Sequence, residues 1–165
     1  MRGSGILLHV TSLPSPFGIG TLGRSAYDFA DFLEKSGQKY WQILPVGHTG
    51  FGDSPYQAFS AFAGNPYMID LDLLCEKGLL RPEEYVGIDW GNNSRQVDYG
   101  KIFRNRTALL RNIVQRFEKN EAFELFCSEN AFWLEDYALF MALKVHYGVS
   151  QWTQWLPQHR DHRQA

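Results

Sequence analysis

Two apolar runs near the start of the chain are too short for helices and too continuous for half-exposed strands. They are Gly5 to Val10 (Gly-Ile-Leu-Leu-His-Val) and Tyr40 to Val46 (Tyr-Trp-Gln-Ile-Leu-Pro-Val). Each reads as a strand buried on both faces. Between them, Leu22, Ala26, Phe29, Ala30 and Leu33 fall on one helical face. Ser25 and Asp28 fit a capping box at its start, and Gly37 is a natural stop. Strand, amphipathic helix and strand in about forty residues is the spacing of a parallel βαβ unit.

Beyond this unit the period changes. Met68 to Leu71 reads as a short extended piece, Leu73 to Lys77 as a short helix closed by Gly78, and Pro82 as the start of another helical turn. From Tyr99 onward, Tyr99, Ile102, Phe103, Arg106, Leu110, Ile113, Val114 and Phe117 recur at helical spacing. The run from Ala131 to Tyr147 is apolar around most of its circumference, so as a helix it wants cover on several sides. The pattern therefore predicts an α/β opening followed by an almost wholly helical remainder. A parallel sheet of two strands needs further strands and helices to cover it, so the chain reads as the beginning of a larger protein.

The segment from Gly52 to Tyr67 stands between these regions. Gly52, Pro55, Gly64 and Pro66 punctuate it as a loop, yet it carries Tyr56, Phe59, Phe62 and Tyr67. It follows the carboxyl end of the second strand, the end at which barrels and open α/β sheets bind ligands. Aromatic rings there can stack on pyranose faces while Asp53, Ser54, Gln57 and Asn65 offer hydrogen bonds. The competing reading is that the rings pack the loop onto its own domain. For Asp53 the alternatives are a hydrogen bond to a sugar hydroxyl or an Asx turn beside Pro55.

Composition narrows the classes. The 165 residues carry 16 basic and 18 acidic side chains, a net charge of −2, which gives no electrostatic footprint for nucleic acid or an anionic membrane. No apolar run approaches the roughly 20 residues of a membrane span. Cys75 and Cys127 lack metal-ligand spacing, and as isolated thiols they point to a cytoplasmic protein. Gly18-Ile19-Gly20-Thr21-Leu22-Gly23 matches a dinucleotide-binding pattern. However, Pro14 and Pro16 lengthen the preceding turn and no acidic residue ends the second strand, so it reads as a flexible turn leading into the helix. His159 and His162 read as solvated tail residues. No catalytic pair emerges. Asp70 and Asp72 read as helix-starting acids, and the adjacent Glu135 and Asp136 diverge by about 100° on a helix. No cofactor or metal is expected.

Long motifs carry a family resemblance. Gly5-Ile-Leu-Leu-His-Val-Thr-Ser-Leu-Pro14, Tyr40-Trp-Gln-Ile-Leu-Pro-Val-Gly47, Gly52-Asp-Ser-Pro-Tyr-Gln57 through Asn65-Pro-Tyr67, Val97-Asp-Tyr99 and Trp133 to Lys144 resemble, in order, the amino-terminal part of the 4-α-glucanotransferases, or amylomaltases. The resemblance implies an incomplete (β/α)8 TIM barrel of the α-amylase type: residues 1–72 start the barrel and 73–165 form a helical insertion. It implies transfer of α-1,4-glucan segments between maltooligosaccharides by a retaining mechanism whose carboxylates lie on later strands. It also implies that Tyr56 stacks on the sugar at the cleavage site, with Ser54, Asp53 and Gln57 lining or bracing that subsite. Phe51 and Phe103 match tyrosines of a second glucan groove. The expected partner is a maltooligosaccharide or α-1,4-glucan, and the expected state of the chain alone is inactive and prone to self-association. The alternatives are a glucan-binding module without catalysis and an α-glucan hydrolase of the same barrel class.

Overall fold

In the computed structural model of the protein, which describes residues 3–91, 93–148 and 151–161, strand β1 (Gly5–Leu7) pairs in parallel with strand β2 (Tyr40–Gln42). The register places Gly5 opposite Tyr40, Ile6 opposite Trp41 and Leu7 opposite Gln42. Helix α1 (Arg24–Lys35) connects the strands, completing the expected βαβ unit. Both strands are shorter than their apolar runs because Pro45 and the turn at Val10–Ser12 end the ladder. They are covered on one side rather than two. Trp41 packs edge-on against Phe29 of α1 at 4.9 Å and donates its indole N–H to the Leu8 carbonyl at 2.7 Å. Leu7 and Tyr40 point to solvent. Helix α1 packs against β2.

The start of α1 corrects two expectations. Gly23 is its N-cap, with no side-chain capping bond. Ser25 instead donates its hydroxyl to the Pro14 carbonyl at 2.7 Å, and Asp28 pairs with Arg24 at 2.8 Å. A Cβ at Gly23 would collide with the Asp70 carboxylate, and one at Gly20 with the Val10 carbonyl oxygen. The glycine pattern thus marks close approach of backbone to its neighbours, and the segment is a buried, tightly packed turn: Ile19, Gly20, Thr21 and Gly23 are all buried. Leu22 lies outside the helix and is exposed. Gly37, at φ 70°, ends α1 as anticipated.

The chain divides into two compact units, Met1–Glu118 and Lys119–Ala165. In the first unit a core of Phe17, Ile19, Tyr67, Leu71, Trp90, Ile102, Leu109 and Ile113 joins the amino-terminal segment to helices α2 (Leu71–Glu76) and α3 (Tyr99–Arg116). Asp70 is the N-cap of α2 and Gly78, at φ 70°, follows its end; within the segment read as extended, Ile69 and Asp70 have extended backbone between the 3-10 turn at Pro66–Met68 and α2. On α3 the buried stripe is Ile102, Arg106, Leu109 and Ile113, rotated from the expected face, so that Phe103 and Val114 are exposed.

The second unit contains α4 (Glu121–Glu129), α5 (Ala131–His146) and a final short turn α6 (Pro157–Arg160). No residue of α5 is buried among the described residues, despite its apolar sequence. In this unit Tyr147 stacks on buried Trp155, centroids 5.4 Å apart. The Tyr147 hydroxyl lies 2.8 Å from His159 Nδ1, so His159 is engaged rather than solvated; His162 lies outside the described residues.

Candidate functional site

The strand ends and the aromatic loop build a cleft of about 170 Å³. His9, Thr11 and Ser12 enter it from the end of β1, and Leu44 and Pro45 from the end of β2. The loop contributes Thr49, Asp53, Pro55, Asn65 and Tyr67, and Tyr99 arrives from the first turn of α3. The site therefore lies at the carboxyl ends of the parallel strands, as the crossover topology requires.

Local hydrogen bonds shape the loop. Gly47 bridges to Gly64 and Thr49 to Ala58, both antiparallel, which folds the segment back on itself. The Asn65 side chain accepts from the Tyr67 amide at 3.0 Å and caps the turn at Pro66–Met68. Asn65 is buried, and its Nδ2 donates to Thr49 Oγ1 at 3.4 Å, so both ends of the amide are engaged within the loop. The base of the loop is fixed from behind. Asp70 accepts from Thr21 Oγ1 at 2.5 Å and from the Leu73 amide at 3.0 Å.

Asp53 is the acid of the cleft and the one non-glycine residue at positive φ (54°) among those described. Its neighbour at i+2 is Pro55, which lacks the N–H an Asx turn would use, and its carboxylate acts electrostatically on the phenols of Tyr67 and Tyr99. Burial raises the Asp53 pKa. Burial, then the Asp53 charge and Tyr99, pushes Tyr67 up to about 12, with Arg106 opposing; Tyr99 is raised by burial and Asp53, against a lowering contribution from Thr11. Burial lowers the pKa of His9, whose Nδ1 is buried without a partner, and of His48. Around neutral pH the cleft thus presents neutral imidazole, two protonated phenols and one carboxylate. That set donates to and accepts from hydroxyl groups without a net positive charge. It holds one carboxylate, so the two-carboxylate geometry of glycoside cleavage is not assembled by these lining residues.

Of the residues expected at a sugar site, Asp53, Asn65 and Tyr67 line this cleft. Tyr56 stands on the same loop with its ring 72% exposed, and Ser54 and Gln57 are joined by a backbone turn (Gln57 N–H to the Ser54 carbonyl, 3.0 Å). Phe51 is fully exposed and Phe103 about half exposed. The loop aromatics split between both readings: Tyr67 is a core residue, whereas Tyr56 and Phe62 show their faces to solvent. Sequence reasoning named Tyr67 among the loop rings but passed over His9 and Tyr99 as site residues. The available signal was their place within the quoted motifs, directly after a strand or at a helix start capped by Asp98, which accepts from the Lys101 amide at 3.0 Å.

Cys75 and Cys127 are free thiols. Among the described residues no cluster of three or more His, Cys, Asp or Glu could hold a metal, and no helix is long and apolar enough to cross a membrane.

Comparison with known proteins gives the same family from sequence and from structure. A family profile described as 4-alpha-glucanotransferase matches residues 8–165. The chain is 53% identical over 150 residues to a 4-alpha-glucanotransferase of Clostridium butyricum, covering 90% of this chain and 31% of that protein. It is 49% identical over 171 residues to one from Thermus thermophilus, covering 99% of this chain and 33% of the relative. Among solved structures, an amylomaltase from Streptococcus agalactiae in complex with acarbose superposes with a TM-score of 0.88 at 46% identity, covering 94% of this chain and 32% of that one. The chain therefore spans about a third of the length of the relatives it matches. With matching motifs, fold and family profile over nearly all of its residues, the chain belongs to the 4-alpha-glucanotransferase family.

Proposed function

We propose that this chain forms one wall of the glucan cleft of a 4-α-glucanotransferase, the amino-terminal part of an enzyme that transfers α-1,4-glucan segments between maltooligosaccharides. In this reading residues 1–72 begin a (β/α)8 barrel and residues 73–165 form a helical insertion. The observation that carries it is the cleft at the carboxyl ends of β1 and β2, where Asp53, Tyr67 and Tyr99 converge, with the exposed Tyr56 next in the chain after the lining residue Pro55. A carboxylate and phenols satisfy sugar hydroxyls, while an exposed flat ring stacks on a pyranose face. Ser54 and Gln57 brace the Tyr56 loop, and Phe51 and Phe103 offer stacking surface to a second stretch of glucan.

The retaining chemistry belongs to carboxylates contributed by the remainder of the enzyme: one attacks the anomeric carbon, and another protonates the leaving oxygen and later activates the acceptor hydroxyl. This chain's residues bind and orient the sugar. The two free thiols fit a reducing compartment, so a cytoplasmic location is part of the proposal. The test is product analysis with maltotriose and the full-length protein. Transfer yields glucose and longer oligosaccharides at a constant number of reducing ends. A rise of one reducing end per bond cut would make the protein a hydrolase, and saturable binding without any product would make it a binding module.

A further inference from the structure

Arg106 is the most deeply buried charged side chain described, 1% exposed in the middle of α3. A guanidinium so placed costs several kcal/mol unless its surroundings compensate it. The compensation is incomplete. Nη1 donates to the Ile69 carbonyl, and the Trp90 ring lies 5.6 Å from Cζ in a cation–π contact. Nε and Nη2 are buried without hydrogen-bond partners. Desolvation brings the Arg106 pKa down to about 10, while Asp70 and Tyr67 favour its charge. An apolar residue of similar length would fill the same space more cheaply, so packing alone does not account for an arginine here.

The groups it does touch lead toward the cleft. Ile69 lies between Tyr67, which lines the cleft, and Asp70, which ties the loop base to Thr21 and starts α2. Resting on the glucan-binding reading, we propose that Arg106 is a positioning residue for the sugar cleft: it pins the Ile69 carbonyl from behind, and Trp90 holds the guanidinium so that the Tyr67 wall keeps its place opposite Tyr99. Tyr67 and Tyr99 sit with ring centroids 6.4 Å apart, and a shift of the Ile69 backbone moves one ring against the other. A misplacement of about 1 Å in a binding wall is enough to change turnover or affinity a hundredfold.

The experiment compares Arg106→Met, Arg106→Lys and the exposed control Arg111→Met in the full-length protein, with maltotriose as substrate. Arg106→Met raises KM about tenfold with kcat within about twofold, Arg106→Lys raises KM less, and Arg111→Met leaves both unchanged. The split between KM and kcat, with partial rescue by Arg106→Lys, is the readout that lost packing alone would not give. If Arg106→Met does not fold, the KM of Arg106→Lys decides: a rise supports the proposal and a wild-type value overturns it. A folded Arg106→Met with wild-type KM also overturns it. A wild-type protein that neither transfers nor binds glucan refutes the proposed function and the positioning role with it, an outcome distinct from a wild-type KM in the variants.

Discussion

Tyr56 and Tyr67 lie eleven residues apart on one loop, and their replacement by alanine separates the two roles an aromatic loop can have. Tyr56 is 72% exposed and Tyr67 8%. A buried tyrosine removes roughly 200 Å² from water at about 25 cal/mol/Å². By that measure Tyr56→Ala forfeits about 1.4 kcal/mol of folding stability at most, and less once residual burial in the unfolded chain is counted. Tyr67→Ala forfeits about 4.5 kcal/mol, in the range measured for truncating large core aromatics. Glucan binding is ordered the other way for the folded proteins. Loss of the exposed Tyr56 ring costs about 1–3 kcal/mol of affinity for maltoheptaose if the ring is a desolvated anchor in the complex. Denaturant unfolding and isothermal titration of the full-length protein measure the two quantities on the same samples. A Tyr56→Ala variant that binds maltoheptaose as the wild type does, or that loses as much stability as Tyr67→Ala, would refute the assignment of the ring to the ligand.

Further expectations follow from the same geometry. Burial raises the Asp53 pKa, so glucan affinity declines as pH falls through that raised value, above the range of an ordinary carboxylate; Asp53→Asn removes the decline, and an unchanged profile would contradict a ligand-facing carboxylate. On stability the same shift has the opposite sign: the folded state holds this proton more tightly than the unfolded chain, so the Asp53 contribution falls as pH rises from about 4 through the raised pKa. His9 and His48 have lowered pKa values, so the unfolded chain binds their protons first and stability declines as pH drops below about 6.5, read from Tm against pH. Thr21→Val removes the 2.5 Å bond to Asp70 and costs about 1.5–3 kcal/mol in denaturant unfolding; an unchanged midpoint would show the bond to be dispensable. The 165-residue chain by itself self-associates at micromolar concentration in sedimentation, because Leu7, Tyr40, Phe132, Leu139 and Val145 are exposed; a monomer with a sharp melt would contradict this.

The architecture was legible where side-chain period and punctuation agree. The βαβ unit, the stop at Gly37, the helix from Tyr99 and the loop after the second strand all follow from apolar spacing and glycine placement. What escaped was set by tertiary contact. Ser25 and Asp28 carry capping chemistry, but Gly23 takes the N-cap because Asp70 leaves room for no side chain there. The buried stripe of α3 takes in Leu109, outside the expected face, and keeps Arg106, which the helical spacing placed on that face and which Trp90 and Ile69 flank.

The site was legible in part for the same reason. Asp53 and Tyr67 were visible from the loop motif, the Tyr67 ring with stacking and packing both open, whereas Tyr99 read as one position of the helical spacing. Only the fold brings the turn after Asn65 and the first turn of α3 to one cleft. Tyr56, by contrast, was singled out from sequence, and its exposed ring is consistent with a ligand role while adding nothing to the core.

The most direct test is a crystal structure of the full-length protein with maltotriose bound. The account predicts a glucose ring against the face of Tyr56 with a hydroxyl within hydrogen-bond distance of the Asp53 carboxylate. Sugar bound only at sites remote from both residues, with the cleft between β1, β2 and Tyr99 left to solvent, would contradict it.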